Sequence, residues 1–306
     1  MGSKILLIGS GGFLGSHTKN LLINEEVAFE EIKGKNQVDL QNVEEFDNFL
    51  SGKNIDTIIN CSAFVGGILY GYKYQADLLN LNSQISLNIY NLAKKYKIKH
   101  IINPISNCVY PGHLKIYKED NFWDGPPHES VFNYAIAKRL TVALGKSFYE
   151  QYGISSSNVI LSNMYGPNDH FDEERSHALG ALIKKTYDSK NENKSVQIWG
   201  TGKPVREWLY VEDGAKSLIK TLKLKPGFYL FNVGINKGYS INEIANLISQ
   251  SFNYETVYEY DTTKPDGVDR KTVNGDYGKK LLKWSPEVSI EEGISITTKW
   301  YINNYG

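Results

Sequence analysis

Short apolar runs alternate with amphipathic stretches through the first half of the chain. Lys4-Ile5-Leu6-Leu7-Ile8 is nearly continuous in apolar residues, as expected of a strand buried on both faces of a parallel sheet. Residues 55–61 and 100–103 repeat this pattern, and a second strand is predicted to end near Ile32. Residues 78–96 carry apolar side chains at helical spacing. This alternation predicts an α/β fold with a doubly wound parallel sheet.

The pattern changes in the second half, where we expect a smaller C-terminal α/β lobe. Ser240 followed by Glu243 forms a capping-box pattern, which predicts a helix over 241–252. The polar stretch Asp188–Lys194 lacks periodicity and is predicted to be a loop. We expect residues 1–165, with about 204–235, to form a dinucleotide-binding domain. Residues of about 166–203 and 236–306 would form a substrate-binding lobe.

Composition narrows the classes of function. The 306 residues include 34 basic and 34 acidic side chains, and this balance gives no support for nucleic acid or an anionic membrane as a partner. No run of about eighteen apolar residues predicts a membrane span. The two cysteines, Cys61 and Cys108, are too few for a disulfide framework or a closed zinc site. We therefore expect a cytoplasmic protein with no metal.

A glycine-rich segment directly follows the first predicted strand. It reads Gly9-Ser10-Gly11-Gly12-Phe13-Leu14-Gly15 and leads into a helix. Glycines at Gly9, Gly12 and Gly15 allow a tight turn and a close approach of the backbone to a pyrophosphate, which the helix N-terminus stabilises. A plain structural turn is the alternative. The position between a buried strand and a helix favours a dinucleotide site.

The end of the second strand indicates which dinucleotide is bound. Enzymes that use NAD usually have a carboxylate there for the ribose 2′-hydroxyl. This chain has Lys33 and Lys35, with Glu30 and Glu31 just before them. Two lysines suit a 2′-phosphate, so the pattern favours NADP(H). Ordinary solvated lysines are the alternative interpretation.

Tyr134 and Lys138 lie four residues apart at the start of a predicted helix, one turn from each other on the same face. The ammonium group, with the charge of an oxidised nicotinamide, favours the phenolate and lowers the tyrosine pKa. Tyr134 can then pass a proton to a carbonyl oxygen as hydride arrives at the carbon. Ser106, after the third buried strand, could share that oxygen; alternatively, it only terminates the strand. With 21 tyrosines in the chain, this spacing also occurs by chance.

Several motifs, in order along nearly the whole chain, resemble the GDP-L-fucose synthase family of the extended short-chain dehydrogenase/reductases, which have a Rossmann fold. They are Ala63-Phe64-Val65-Gly66-Gly67-Ile68, Ser106-Asn107-Cys108-Val109-Tyr110-Pro111, Tyr134-Ala135-Ile136-Ala137-Lys138, Asn163-Met164-Tyr165-Gly166-Pro167-Asn168-Asp169, Trp199-Gly200-Thr201-Gly202-Lys203-Pro204-Val205-Arg206-Glu207 and Lys264-Pro265-Asp266-Gly267.

The resemblance implies a bifunctional enzyme. The family epimerises carbons 3 and 5 of GDP-4-keto-6-deoxy-D-mannose and then reduces carbon 4 with NADPH. Motif matching implies that Cys108 and His177 are the base and acid of the epimerisation. Both carbons flank the ketone, so enolate formation acidifies their protons, and Ser106 and Tyr134 would stabilise the enolate oxygen. Cys108 could instead be a small buried hydrophobe, and His177 only a polar residue at a helix start.

The resemblance also implies further binding residues. Asp39 and Ala63 would line the cofactor site. Trp199 and Arg206 would bind guanine and diphosphate, with Lys185 in place of the family's usual arginine. The remaining implied substrate contacts are Asn163 and Lys264. A core tryptophan and a surface arginine are the alternatives for the first pair. A homodimer is implied, built from the helix over 78–96 and the helix that begins near Tyr134.

The chain departs from the family at Gly11, often an arginine, at Asn107, often a serine, and at Phe132-Asn133, often Glu-Pro. The segment 111–132, expected beside the sugar, resembles the family poorly. The sugar thus stays open between a 6-deoxyhexose and a GDP-4-keto heptose, and so does a C4 reductase without epimerisation. A 4-epimerase or a non-catalytic NADP(H) sensor is a weaker alternative. A 4,6-dehydratase is disfavoured because Asn107 and Cys108 stand where it needs an acidic pair.

Overall fold

The computed structural model describes residues 4–172, 175–264 and 268–306. Its strands are β1 (Ile5–Ile8), β2 (Phe29–Ile32), β3 (Thr57–Asn60), β4 (His100–Ser106), β5 (Ile116–Tyr117), β6 (Ser155–Leu161), β7 (Asn163–Tyr165), β8 (Val196–Trp199), β9 (Val205–Tyr210), β10 (Phe228–Val233), β11 (Gly238–Ser240), β12 (Tyr258–Asp261) and β13 (Arg270–Val273).

The helices are α1 (Phe13–Asn24), α2 (Val43–Leu50), α3 (Ile68–Lys73), α4 (Gln75–Lys95), α5 (Phe132–Tyr152), α6 (Ala178–Glu192), α7 (Val211–Thr221), α8 (Ile241–Ser251), α9 (Asp276–Leu282) and α10 (Ile290–Tyr305). Short 3-10 turns span Asn107–Val109, Glu119–Asn121 and Glu129–Val131. In the described part of the chain, no helix is long and apolar enough to cross a membrane.

The predicted doubly wound sheet is confirmed. Six parallel strands form it in the order β10-β6-β4-β3-β1-β2, so β1 lies between β2 and β3. The connections diverge on either side of β1, which makes the carboxyl edge of β1 the topological switch point where such sheets bind ligands. The turn after β1, the lysines after β2 and Ser106 at the end of β4 all lie along this edge.

Alternate residues of β1 face two separate hydrophobic clusters, because side chains along a strand point to opposite faces. Leu6 and Ile8 pack with residues of α2 and α4 such as Phe46 and Ile89. Ile5 and Leu7 pack with Leu22 of α1 and with apolar residues of α7. Both faces of the sheet are therefore covered, which explains why the first strand lacks an alternating polar pattern.

The rest of the chain builds two smaller sheets. One has the order β11-β9-β13-β5, with β7 also pairing with β9, and the other pairs β12 with β8. A separate cluster of buried residues from α6, α8 and α10 packs beside them, including Ile183, Ile244 and Ile294. Of the motif at 264–267, residues 265–267 lie outside the described residues.

The capping box that predicted a helix over 241–252 is confirmed in α8. The Glu243 N–H donates to Ser240 Oγ at 3.1 Å, and the Ser240 N–H donates to Glu243 Oε2 at 2.7 Å. The predicted strand ends and the helix over 78–96 also agree with the structure, within three residues at either end, because continuous apolar runs indicate the buried strands and helical spacing indicates the helix.

The predicted loop at Asp188–Lys194 is wrong, because α6 continues to Glu192. Tertiary and local contacts stabilise this polar turn of helix. Lys184 pairs with Asp188 one turn on, and Lys190 Nζ donates to the carbonyl of Phe252 at 2.8 Å. The helix ends at Asn193, whose φ of 53° lies in the left-handed region.

Candidate active site

The glycine turn has the geometry that a phosphate cradle requires. Gly9 has a φ of 77°, and a Cβ there would lie 2.8 Å from the backbone of Cys61. A Cβ at Gly15 would overlap the carbonyl oxygen of Gly9, so α1 can pack against the turn only with glycine at this position. Gly12 caps α1 without a side-chain hydrogen bond, and Phe13 and Leu14 form its first turn. These residues fit a dinucleotide pyrophosphate.

Backbone hydrogen bonds hold the turn against the end of β2. The Gly9 N–H donates to the carbonyl of Ile32 at 2.7 Å, and the Gly11 N–H donates to that of Lys33 at 3.1 Å. A Cβ at Gly11 would lie 2.9 Å from the Lys33 oxygen. This contact explains the glycine where the family often has an arginine, and it brings Lys33 beside the cradle.

Lys33 and Lys35 are exposed and line an open pocket formed by residues 33–37. Lys35 Nζ lies 3.1 Å from Asp39, the acidic residue predicted to line the cofactor site. The lysines are thus positioned at the carboxyl edge of the sheet, next to the glycine turn.

The two glutamates of β2 have other partners. Glu30 pairs with Lys4 at 2.8 Å and with Lys53 at 3.2 Å. Glu31 pairs with Lys19 at 2.9 Å and accepts a hydrogen bond from Ser10 Oγ. These hydrogen bonds hold the pKa of both carboxyls below the ordinary value. Both carboxylates are therefore ionised, and each forms a salt bridge with a lysine other than Lys33 and Lys35.

The loop after β3 is fixed by Asn82, a residue that sequence reasoning missed. The buried Asn82 amide accepts from the Phe64 N–H and donates to the Phe64 carbonyl, each at 2.9 Å. This two-way contact positions Ala63, which is exposed beside the glycine turn. A buried asparagine on the apolar face of a predicted helix is the signal that could have indicated it.

Tyr134 and Lys138 meet as the spacing predicts. Lys138 Nζ lies 5.7 Å from the centre of the Tyr134 ring, and Lys138 is buried. Burial lowers the pKa of Lys138 to about 8 and raises that of Tyr134. The predicted lowering of the Tyr134 pKa depended on both the ammonium and an oxidised nicotinamide. In the chain alone, burial outweighs the ammonium.

Ser106 and Cys108 lie beside this pair. Ser106 ends β4, and its Oγ accepts from the Cys108 N–H at 3.4 Å at the start of the 3-10 turn. A negative charge on the Cys108 thiol would raise the pKa of Tyr134 and Lys138, which shows that the groups share one environment. Burial raises the Cys108 pKa, while Ser106, Lys271 and Lys138 oppose the rise.

His177 approaches from another element. It caps α6 with extended backbone, and its segment packs on the loop after β3, since a Cβ at Gly67 would lie 2.7 Å from the Ser176 oxygen. The imidazole is exposed at the surface, yet the protein around it and the nearby His170 lower its pKa. Among the described residues, no hydrogen bond joins His177 to Cys108.

Three of the predicted substrate residues converge at the end of β8. Trp199 is 51% exposed and pairs in register with Asp261 of β12. Lys185 Nζ lies 5.9 Å from the Trp199 ring centre, and Lys264 Nζ lies 5.6 Å from it. An exposed aromatic face between two ammonium groups suits a planar base attached to phosphates.

Asn163 and Arg206 lie on the neighbouring strands β7 and β9. Asn163 Nδ2 donates to the carbonyl of Glu207 at 2.9 Å, so its amide supports β9. Arg206 donates to the carbonyls of Val205 and Val268 at 2.8 and 2.7 Å. Its register partner on β13 is Lys271, a half-buried lysine absent from the sequence prediction. Burial and the nearby Arg206 lower the Lys271 pKa.

A glycine cradle at the switch point, a Tyr-Lys pair one turn apart on a helix and a hydroxyl at a strand end define a dinucleotide-dependent short-chain dehydrogenase/reductase. The profile of the NAD dependent epimerase/dehydratase family matches residues 5–234.

Similar proteins cover nearly the whole chain. GDP-L-fucose synthase 1 of Arabidopsis thaliana is 31% identical over 315 residues, which cover 99% of this chain and 94% of that protein. GDP-L-colitose synthase of Yersinia pseudotuberculosis is 31% identical over 309 residues, with 98% of each chain covered. A crystal structure of a GDP-L-fucose synthetase from Naegleria fowleri bound to NADP superposes with a TM-score of 0.89 at 26% identity, covering 99% and 95% of the two chains.

The chain belongs to the NAD dependent epimerase/dehydratase family and, within it, to the GDP-L-fucose synthase family. The family and the fold class predicted from the sequence are therefore confirmed.

Proposed function

We propose that this enzyme uses NADPH to reduce the C4 ketone of a GDP-4-keto sugar, with epimerisation at carbons 3 and 5 in the same site. The names of two relatives, GDP-L-fucose synthase and GDP-L-colitose synthase, support a GDP-linked substrate. The observation that carries the reductase assignment is the position of Lys138 Nζ, 5.7 Å from the Tyr134 ring centre and on the helix beside Ser106.

The cofactor is NADP(H), in agreement with the Naegleria fowleri relative bound to NADP. In this proposal Gly9, Gly12, Phe13, Leu14 and Gly15 hold the pyrophosphate. Lys33 and Lys35 bind the 2′-phosphate, with Asp39 orienting Lys35 and Ala63 beside the cofactor. NADPH, when bound, supplies the hydride. The two carboxylates of β2 support this choice, because Glu30 and Glu31 already form salt bridges with Lys4 and Lys19.

For the reduction, Tyr134 donates a proton to the ketone oxygen and Ser106 donates a hydrogen bond to it. Lys138 stabilises the phenolate that Tyr134 becomes. The raised pKa of Tyr134 keeps the phenol protonated in the resting site, as a proton donor requires.

For the epimerisation, Cys108 removes a proton from carbon 3 or 5, and His177 returns one to the opposite face of that carbon. Ser106 and Tyr134 stabilise the enolate oxygen meanwhile. A bound diphosphate would raise the pKa of His177 towards the imidazolium that this role needs. The neutral resting forms of Cys108 and His177 favour the second candidate, a C4 reductase without epimerisation.

For the nucleotide, we propose that Trp199 stacks on guanine while Lys185 and Lys264 bind the diphosphate. Arg206 would add a bidentate contact, and Asn163 would orient the strand that carries it. Residues 1–165 with about 204–235 would then form the cofactor domain, and about 166–203 with 236–306 the nucleotide-sugar lobe.

We also propose a cytoplasmic homodimer. Both cysteines are free thiols, which suits a reducing compartment. α4 and α5 pack on each other, and Leu87 of α4 is 37% exposed on an outward face available to a partner. Sedimentation at micromolar concentration should give twice the monomer mass of 34.6 kDa. A stable monomer would contradict this arrangement.

The test uses purified enzyme, NADPH and a panel of GDP-4-keto sugars in D₂O, with products read by NMR. The proposal predicts NADPH oxidation together with deuterium at carbon 3 or 5. Cys108→Ser should lose the deuterium uptake, because a serine hydroxyl is far less acidic than a thiol. Reduction without any deuterium uptake in the wild type would identify a reductase only, and no NADPH oxidation with any sugar would overturn the proposal.

A further inference from the structure

Arg139 is a buried cation that forms no salt bridge with an acidic side chain among the described residues. It follows Lys138 on α5 and is only 8% exposed. Its Nη2 atom is enclosed and makes no hydrogen bond with any described residue. Buried charges are normally paired, because taking a guanidinium out of water is costly. An unpaired one beside a reaction centre therefore calls for a functional explanation.

Three contacts fix the position of the Arg139 guanidinium. Arg139 Nε donates to the carbonyl of Val109 at 2.8 Å. The guanidinium carbon lies 5.6 Å from the ring centres of both Phe122 and Trp123. Those two rings pack edge to face and belong to the segment 111–132, the part of the chain that resembles the family least. Two aromatic rings of this segment therefore contact the guanidinium of Arg139.

The Val109 carbonyl directly follows Cys108 in the same 3-10 turn. The hydrogen bond from Arg139 thus joins the turn that carries Cys108 to the helix that carries Tyr134 and Lys138. A thiolate at Cys108 would stabilise the charged guanidinium.

We propose that Arg139 is a positioning residue for proton abstraction by Cys108: it fixes the turn that carries the thiol and supplies the buried positive charge that a thiolate needs. This inference rests on the proposed epimerisation for its role in catalysis. Arg139 belongs to neither the glycine fingerprint nor the Tyr-Lys motif.

Other groups also act on Cys108 and must be separated from Arg139. α5 contributes Tyr134 and Lys138, β5 contributes Tyr117, and β13 contributes Lys271, which is itself next to Arg206. Lys138 has a pKa of about 8 and loses its charge in mildly alkaline solution. Arg139 keeps its charge there, since a guanidinium does not deprotonate in this range. Because Lys271 and Arg206 also carry charge, the contribution of Arg139 is isolated by comparing the wild type with a variant that lacks the Arg139 charge at each pH.

The experiment measures the rate of Cys108 alkylation by iodoacetamide against pH, with peptide mass spectrometry separating Cys108 from Cys61. Arg139→Gln keeps a donor for the Val109 carbonyl but removes the charge. This substitution should raise the titration midpoint of Cys108 by about one pH unit, which corresponds to a roughly tenfold lower alkylation rate at a fixed pH. At neutral pH, where a buried ammonium with a lowered pKa still carries its charge, Arg139→Lys should react at nearly the wild-type rate. Lys146→Gln, at an exposed site on the same helix, is the matched control and should not differ from the wild type.

Equal midpoints for Arg139→Gln and the wild type would overturn the proposal. An Arg139→Lys variant as unreactive at neutral pH as Arg139→Gln would also overturn it, because the role would then be structural. If Arg139→Gln fails to fold, Arg139→Met gives the same test, since apolar replacement of a buried charge is often tolerated.

Deuterium uptake from D₂O, measured in parallel, separates this inference from the proposed function. If the wild type exchanges, Arg139→Gln should lower the exchange rate about tenfold at neutral pH, in step with the thiolate fraction. If the wild type does not exchange, the proposed epimerisation fails. The alkylation midpoints still decide whether Arg139 controls Cys108.

Discussion

Replacement of both Lys33 and Lys35 by alanine should remove the preference for NADPH without affecting the fold. Both side chains are exposed, and Lys35 already pairs with Asp39 at 3.1 Å, with 69% of its side chain accessible. Neither lysine packs against a hydrophobic cluster. The effect of the double substitution should therefore fall on cofactor affinity and not on the free energy of unfolding.

The exposure of Lys33 and Lys35 limits the free energy that they contribute to NADPH binding. A charge-assisted contact at an accessible site contributes about 1 kcal/mol, less than a buried one, because water and salt screen it. Two such contacts contribute about 2 kcal/mol, so removal of both lysines should raise the dissociation constant for NADPH roughly thirtyfold. The dissociation constant for NADH should change little, because NADH has no 2′-phosphate. The NADPH preference should also shrink as salt is raised, since the Debye length is about 10 Å at 0.1 M.

Fluorescence titration with NADPH and NADH measures both constants. Lys99→Ala is the matched control, because Lys99 is 77% exposed, pairs with Asp56 at 2.7 Å and lies at the amino end of β4, on the opposite edge of the sheet. The control should bind NADPH like the wild type. A double variant that still prefers NADPH as strongly as the wild type would refute the assignment of these lysines to the 2′-phosphate.

The remaining three predictions concern the rate of reduction, its pH dependence and the stability of the fold. Tyr134→Phe should bind NADPH normally and reduce a GDP-4-keto sugar about 10²–10⁴-fold more slowly, measured as NADPH oxidation; a rate near wild type would put the active site elsewhere. The kcat/KM of the wild type should decline above pH 8, because Lys138, with its pKa of about 8, then loses the charge that stabilises the phenolate; no decline up to about pH 9 would contradict this. Glu207→Ala should lower the free energy of unfolding by about 3 kcal/mol, because the buried side chain of Glu207 accepts hydrogen bonds from three backbone N–H groups. The control Glu259→Ala, at an exposed position, should change this free energy little. Equal urea midpoints for the two variants would contradict the prediction.

The positions of the candidate site residues at strand ends could be predicted from the sequence, because parallel strands bring their carboxyl ends to one edge. Gly9 follows the apolar strand β1, Lys33 follows Ile32 at the end of β2, and Ser106 ends β4, so their positions along the chain nearly fix their positions in space. Tyr134 and Lys138 needed only the helical repeat. These inferences depended on local periodicity, which a single sequence displays directly.

Lys271 and Arg139 could not be found in this way. Lys271 comes near Cys108 because β13 pairs with both β5 and β9, which are far from it along the chain. Arg139 is buried by two rings from a segment that shows no periodicity. The helix at Asp188 was missed for the same reason, since the contact with Phe252 crosses 62 positions of the chain.

Deuterium transfer from NADPH labelled at nicotinamide carbon 4 is the most direct test of whether this enzyme reduces carbon 4 of a GDP-4-keto sugar. Wild-type enzyme is incubated in ordinary water with GDP-4-keto-6-deoxy-D-mannose and each isotopic face of the deuterated cofactor in turn, and the GDP-sugar product is analysed by NMR. We expect that one face, and not the other, delivers a single deuterium to carbon 4 of the sugar. NADPH oxidation without deuterium at carbon 4 from either face would show that the C4 ketone is not the hydride acceptor.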